Sequence, residues 1–239
     1  MPTVTIDYDK AGYITNQVEP VTNWLTQVRN VSTGTSVSNH TADESANGTG
    51  RNIETFYGSG RSGAVGRIRR AYFLFNNFGT GVQGNITGIT FRFARDSGTS
   101  TLNAMQGFKS THTSGTYATS DFGDVDFNTE YVSSFTMTNS SAGTQDLTLN
   151  SSAVTDANSN GLLSIAVVIE KFDGNGSSLS LNSQITARPL FGSSNNPTQL
   201  VITYNDPSYG NNVIGVSSGN IASVKGVATA DIASVIGVS

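Results

Sequence analysis

The chain has no cysteine and few charged residues, and each of these shortages excludes some classes of protein. Charged residues make up 13% of its 239 residues, about half of the share in an ordinary globular protein. Without cysteine there is no disulfide scaffold, no iron–sulfur cluster, no thiol nucleophile and no zinc site built on cysteine. Only two histidines are present, and both lie in Ser/Thr-rich sequence, which favours solvated loops.

Long apolar runs are also missing. No stretch approaches the roughly 18 apolar residues of a membrane-spanning helix, and the amino terminus lacks the basic and apolar regions of a signal peptide, so we expect no membrane association. Ser, Thr, Asn and Gly together account for 109 of the 239 residues, a composition that favours strands and turns over helices. The 12 Phe and 8 Tyr indicate a folded core.

Alternation of apolar and polar residues predicts about ten short strands. In the segment 66–75, Ile68, Tyr72 and Leu74 share one face while Phe73 and Phe75 share the other, so we expect this strand to be covered on both sides. The predicted strands are Thr3–Tyr8, Trp24–Val31, Ile53–Tyr57, Gly66–Phe75, Ile89–Arg95, Thr101–Phe108, Glu130–Thr138, Leu162–Lys171, Leu179–Leu181 and Pro197–Tyr204. Leu162–Lys171 is the most apolar and is predicted to be a central strand, and one short helix is predicted at Ser151–Ala157, capped by Asn150 or Ser151.

These elements predict an all-β fold, a jelly-roll-like two-sheet β-sandwich over residues 1–206. A small segment, 207–239, follows and contains an 11-residue repeat: Val213-Ile214-Gly215-Val216 recurs as Val224-Lys225-Gly226-Val227 and as Val235-Ile236-Gly237-Val238. Ile221 recurs as Ile232 at the same step. We call residues 207–239 the repeat segment.

A repeat unit this small cannot bury its own apolar side chains. It must pack on its neighbours, on the sandwich as a clasp, or on another protein, and we favour docking on another protein or oligomerisation. The residues predicted to dock are Val213, Gly215, Val216, Ile221, Val224, Gly226, Val227, Ile232, Val235, Gly237 and Val238.

The Val-x-Gly-Val and Ile-x-x-Val spacing of residues 211–239 resembles the carboxy-terminal ends of virion structural proteins of tailed bacteriophages. Such ends are found especially in cyanophages and other marine phages. Segment 67–204 is similar, more loosely, to the jelly-roll modules of phage appendages and to carbohydrate-binding modules, through its strands at Arg70–Phe75, Ile86–Phe93 and Leu200–Tyr204. The resemblance implies a virion protein, present in several copies as a homo-oligomer. It would attach through the repeat segment to other virion proteins of the capsid, neck or tail. Threefold sites are common in phage particles, which makes a trimer the expected oligomer.

Three carboxylates, Asp121, Asp124 and Asp126, lie within six residues. Oxygen ligands at such spacing can hold Ca²⁺, and jelly rolls often carry structural calcium. We nevertheless favour a solvated acidic loop over a calcium site. No other cofactor is expected. No pair of carboxylates can be assigned to opposite sides of a bound sugar from the sequence, so we expect no enzymatic activity.

Basic residues concentrate in one place, Arg61, Arg67, Arg69 and Arg70, and alternation puts Arg70 on the face opposite Arg67 and Arg69. An isoelectric point near 5.0 argues against nucleic acid as a partner, and we expect these arginines to pair with acidic residues between strands or subunits. The alternative function is a carbohydrate-binding host-adhesion module. Its exposed aromatic residues, such as Trp24, Tyr57 or Tyr117, would stack on host glycan.

Overall fold

A computed structural model describes residues 1–40, 53–76, 78, 82, 84–95, 104–136, 143–187, 189–190, 192–193, 196–205, 223–224 and 227–228. Strands dominate these residues. In chain order they are β1 (Thr3–Asp7), β2 (Lys10–Val18), β3 (Ser36–His40), β4 (Ile53–Ser59), β5 (Ala64–Phe75), β6 (Ile86–Arg95), β7 (Ala104–Ser110), β8 (Val125–Thr136), β9 (Gly143–Thr148), β10 (Leu163–Ile169), β11 (Ser183–Ala187), β12 (Pro189–Leu190), β13 (Gly192–Ser193), β14 (Asn196–Pro197), β15 (Gln199–Tyr204), β16 (Ser223–Val224) and β17 (Val227–Ala228).

Helical structure in the described residues includes one α-helix, α1 (Ser151–Asn160), and turns at Leu25–Arg29, Thr119–Gly123 and Glu170–Gly174. The Asn150 side chain accepts hydrogen bonds from the Ser152 and Ala153 backbone N–H groups, which confirms the predicted helix and one of its two predicted caps. The helix runs three residues further than predicted and ends at Gly161, whose φ of 64° is a left-handed conformation that glycine adopts freely.

The larger sheet is organised around β5. Strand β2 pairs along one edge of β5, from Val18 opposite Gly66 to Lys10 opposite Leu74. The other edge is divided: β4 pairs with its first half and β10 with its second half. Strand β10 continues to β7 and β8, β4 continues to β11, and β2 to β3. The predicted central strand is therefore confirmed, because β10 has a neighbour on each side.

The smaller sheet is organised around β6. Strand β15 pairs antiparallel with β6 on one side and with β1 on the other, and β9 and β12 also pair with β6. Both sheets are antiparallel and together confirm the predicted all-β, two-sheet sandwich.

Apolar side chains cover both faces of β5 and β10. On one face Phe73 and Phe75 pack edge-on against Phe91 of the smaller sheet, with ring centroids 5.4 and 6.2 Å apart. On the other face Ile68, Tyr72 and Leu74 join a second buried cluster under the turns, with members that include Trp24, Val28, Tyr117, Phe122 and Leu179. The larger sheet is thus a middle layer, and the prediction that the 66–75 strand is covered on both sides is confirmed.

Two predicted strands are wrong. Leu179–Leu181 is not a strand, and Trp24–Val31 contains the helical turn Leu25–Arg29. Local polar groups favour the turn: the Asn23 side chain accepts a hydrogen bond from the Thr26 N–H, and the Gln27 side chain accepts from the Thr22 and Asn23 N–H groups. Because Trp24 and Val28 are four residues apart, a helical turn buries both on one side.

Candidate functional site

The predicted docking residues lie mostly outside the described residues. Those outside are Val213, Gly215, Val216, Ile221, Gly226, Ile232, Val235, Gly237 and Val238. The backbone of the other two, Val224 and Val227, is described in β16 and β17.

Strands β16 and β17 pair antiparallel, with Ser223 opposite Ala228 and Val224 opposite Val227. They form a separate two-stranded sheet that belongs to neither sheet of the sandwich. Two residues, Lys225 and Gly226, connect them in the sequence, which is the commonest loop length of a β-hairpin, and glycine is the preferred second residue of such a loop. One Val-x-Gly-Val unit therefore corresponds to one hairpin.

The acidic segment is arranged differently from the calcium site considered above. Asp121, Asp124 and His112 place ligand atoms within 4.8 Å of one another. Asp126 is not part of this group. It instead accepts hydrogen bonds from the Thr129 hydroxyl at 2.7 Å and the Asn128 N–H at 3.0 Å, and the bond from Thr129 lowers the pKa of its carboxyl.

His112, expected in a solvated loop, has a side chain that is only 9% exposed. Its ring packs on the buried ring of Tyr117, with centroids 4.3 Å apart. Its Nδ1 lies 3.3 Å from Asp121 Oδ2, and its Nε2 lies 3.2 Å from the Gly115 carbonyl oxygen. Both ring nitrogens are thus directed at oxygen atoms.

The two carboxylates of this group lie in turn structure between β7 and β8. Asp121 belongs to the turn Thr119–Gly123 and accepts a hydrogen bond from the Ala118 N–H at 2.8 Å. Asp124 follows that turn, and its carbonyl oxygen accepts the Thr111 N–H at 2.9 Å. Partial burial raises the pKa of the Asp124 carboxyl, and the negative charge of Asp121 raises it further. The pair therefore concentrates negative charge in a partly desolvated place.

A cleft of about 350 Å³ opens near the start of β10. Lys109 Nζ lies 3.0 Å from each carboxylate oxygen of Asp156 of α1, and the Tyr131 hydroxyl donates to Asp156 Oδ2 at 2.7 Å. Leu162 and Leu163 supply an apolar part of the wall. An apolar wall beside a few fixed polar groups is the usual composition of a small-ligand pocket.

Two residues of the arginine cluster, Arg67 and Arg70, form the expected ion pairs with acidic residues. Arg67 of β5 binds both carboxylate oxygens of Glu54 of β4, at 2.9 and 2.8 Å. Arg70, on the opposite face, binds both oxygens of Asp173 at 3.0 and 2.8 Å, and each of these two side chains is only 1% exposed. These arginines are already occupied by acidic partners within the chain.

The aromatic residues considered for sugar stacking do not form an exposed platform. Trp24 is 4% exposed and Tyr117 is 2% exposed. Tyr57 is half-buried, with its ring centroid 5.8 Å from that of Trp24. Stacking of a sugar on Trp24 or Tyr117 is therefore excluded in this conformation, since their rings contribute to the second buried cluster.

No protein-family model matches the chain, and no curated protein matches it either. Among the described residues, no helix has the length and apolar character needed to cross a membrane.

Proposed function

We propose that the chain is a non-enzymatic structural protein of a tailed-phage virion. In this proposal its sandwich is displayed and its repeat segment docks on another virion protein of the head, neck or tail. The observation that carries the proposal is the pairing of Val224 with Val227 within a Val-x-Gly-Val unit that occurs three times at a step of 11 residues. The same unit recurs in the sequence at 213–216 and 235–238.

Such hairpins need a surface to pack against. An isolated two-stranded hairpin is marginally stable in water, and β16 and β17 pair with each other and with neither sheet of the sandwich. Burial of one Val or Ile side chain contributes roughly 1.5–3 kcal/mol, so several repeats on one partner would supply a firm attachment. A protein displayed repeatedly on a particle is present in several copies. The oligomer that we expect is a trimer.

The test is attachment to purified particles. Particles assembled with the full chain are compared with particles assembled with residues 1–206 and with Val224→Asp and Val227→Asp variants. We expect each change to remove the protein from particles, because each removes or charges a docking unit. Ser217→Asp, a charge added between repeat units, is the matched control and should attach normally.

Gold labelling with an antibody against residues 1–206 places the protein on the particle. Label over the head supports a decoration or cement protein, and label at the neck or tail supports a fibre or adaptor. Absence of label from all particles would overturn the virion proposal, and normal attachment of the 1–206 protein would overturn docking through the repeats.

A second candidate function is glycan binding by the cleft beside α1. The polar network of Lys109, Tyr131 and Asp156 next to Leu162 and Leu163 favours it, since sugars present both hydroxyl groups and apolar ring faces. Retention on a glycan array that is lost in Asp156→Asn and kept in Asp146→Asn, a carboxylate on β9, would support this function. Equal retention by both variants would contradict it.

A further inference from the structure

His112, Asp121 and Asp124 combine one imidazole with two carboxylates in a partly buried group. Their ligand atoms lie within 4.8 Å of one another. We infer that these three residues form a binding site for one Zn²⁺ ion. The inference is independent of the proposed virion function, since the site lies between β7 and β8 and not in the repeat segment.

The hydrogen bond of His112 determines which ring nitrogen is free to bind a metal. The Gly115 carbonyl oxygen, 3.2 Å from Nε2, can only accept, so Nε2 carries the proton. In the neutral ring, Nδ1 then presents a lone pair towards Asp121 Oδ2 at 3.3 Å. Two electron-rich atoms at this distance repel each other unless a cation or a proton lies between them.

Zinc-bound histidines are usually held in this way. The ring nitrogen that does not bind the metal typically donates its proton to a carbonyl or carboxylate, which fixes the orientation of the ring. Here Gly115 holds Nε2, and the ring of Tyr117 packs against the face of the imidazole with centroids 4.3 Å apart. The imidazole is therefore oriented, with Nδ1 directed towards the carboxylates.

The ligand set favours zinc over the calcium considered from the sequence. Ca²⁺ takes six to eight oxygen ligands, and Asp126, the third carboxylate of that prediction, is bonded to Thr129 and Asn128. Zn²⁺ accepts nitrogen and oxygen together at about 2.0–2.2 Å, commonly with three protein ligands and a water molecule. At these lengths ligand atoms lie roughly 3.3–4 Å apart, so side-chain movements below about 1 Å would close the site.

The negative charge of the two carboxylates also favours the binding of a divalent cation. Asp121 and Asp124 are partly buried, and their carboxylate oxygens lie within 4.8 Å of each other, so their negative charges repel. A divalent cation between them would replace this repulsion with attraction to both carboxylates. Binding would also join Asp121 and Asp124 to His112, just beyond the end of β7.

The experiment titrates the full chain with Zn²⁺ alone after treatment with a chelator, using isothermal calorimetry and thermal unfolding. We expect one Zn²⁺ per chain with a dissociation constant in the micromolar range or tighter, a raised unfolding temperature, and Ca²⁺ binding at least a hundredfold weaker. His112→Ala and, separately, Asp124→Asn should each weaken Zn²⁺ binding at least tenfold. Asp126→Asn, the neighbouring carboxylate outside the group, is the matched control and should bind like the original chain.

Three results would overturn the inference. These are no saturable Zn²⁺ binding below 100 µM, equal binding by the His112→Ala, Asp124→Asn and original chains when circular dichroism shows all of them folded, or a preference for Ca²⁺. In the first case the 3.3 Å contact between His112 Nδ1 and Asp121 Oδ2 forms without a metal.

Discussion

At the scale of single residues, Arg70 shows how one buried side chain holds several loops on the larger sheet. Besides its two bonds to Asp173, its guanidinium donates to the carbonyl oxygens of Phe122 at 2.8 Å and Arg29 at 2.9 Å, and it lies 4.1 Å from the centre of the Phe122 ring. Burial lowers the pKa of Arg70, but Asp173 and Tyr72 together raise it, and the net change is upward, so the side chain stays charged. Through these contacts Arg70 connects three separate turns to β5.

We therefore expect Arg70→Met to lower the free energy of unfolding by about 3–5 kcal/mol. The buried Asp173 carboxylate would lose both bonds to Arg70 and keep only the longer ion pair with Arg29, whose Nε lies 3.8 Å from Oδ1. The matched control is Arg92→Met, which removes a pair with Asp146 whose side chains are 35% and 48% exposed and should cost less than about 1 kcal/mol. Urea denaturation at pH 7 measures both changes. Similar losses in the two variants would contradict this account of Arg70.

The exposed pair of Arg92 and Asp146 gives a prediction on pH. Hydrogen bonds from Arg92 lower the pKa of the Asp146 carboxyl in the folded chain. A lowered folded-state pKa contributes stability above the unfolded value of about 3.9, and that contribution is lost as pH falls through the folded value.

Between pH 6 and pH 2 the original chain should therefore lose slightly more stability than Asp146→Asn, by well under about 1 kcal/mol because both side chains are exposed. Denaturation midpoints at the two pH values measure the difference. Arg92→Gln should behave like Asp146→Asn, and a larger loss in either variant than in the original chain would refute the assignment.

At the scale of elements, α1 depends on a single cap. The Asn150 side chain accepts the Ser152 and Ala153 N–H groups at 3.0 and 3.3 Å, and it donates to the Glu130 carbonyl of β8 at 2.6 Å. We expect Asn150→Ala to cost about 1 kcal/mol of stability, measured by chemical denaturation. Ser151→Ala changes an exposed residue beside the cap and should cost a few tenths at most; an equal cost would show that the cap contributes little.

The elements that the sequence predicts well are those whose apolar period is strong. Strand β10 is buried at every position, and its sequence is nearly continuous apolar residues, which is typical of a strand covered on both faces. Strand β2 was not predicted, because its alternation is interrupted by polar residues that are buried against other parts of the chain. One of these, Asn16, donates to the carbonyl oxygens of Gln27 and Val28 at 3.0 Å each, a contact that no local pattern indicates.

The residues of the candidate metal site are likewise brought together by contacts that no local sequence pattern indicates. Spacing along the chain drew attention to Asp121, Asp124 and Asp126, but the fold replaces Asp126 with His112, nine residues before Asp121. The pairing of Ser110 with Val125, the turn Thr119–Gly123 and the hydrogen bond between Thr111 and Asp124 bring these residues together. Alternation did predict that Arg67 and Arg70 point to opposite faces, because a strand has a fixed period of two, although it could not identify Glu54 or Asp173 as their partners.

At the scale of the whole molecule, the larger sheet contributes to two buried clusters, one shared with the smaller sheet and one covered by turns. Strand β15 completes the smaller sheet, pairing with β1 near the amino terminus and with β6. The two ends of the sandwich sequence therefore meet in neighbouring strands, and Tyr204 is the last of the described residues that pairs in either sheet of the sandwich. The repeat segment begins just beyond this point.

Because of this arrangement, the stability of a chain without the repeat segment shows whether that segment packs on its own sandwich or on a partner. If the repeat segment acts on a partner, deletion of 207–239 should leave the unfolding temperature within about 2 °C of the full chain, since β16 and β17 belong to neither sheet of the sandwich. If the segment instead clasped its own sandwich, each buried Val or Ile would contribute roughly 1.5–3 kcal/mol, and the deletion would lower the unfolding temperature by many degrees.

Calorimetry of both chains distinguishes the two cases. Deletion from residue 199 onward is the control, because it also removes β15, which pairs with both β1 and β6, and it should unfold the protein. An unchanged unfolding temperature in the 1–206 chain, together with its loss from particles, would assign the apolar repeats to a partner surface. A lowered temperature with normal attachment would assign them to the sandwich, since the same side chains cannot be buried in both places.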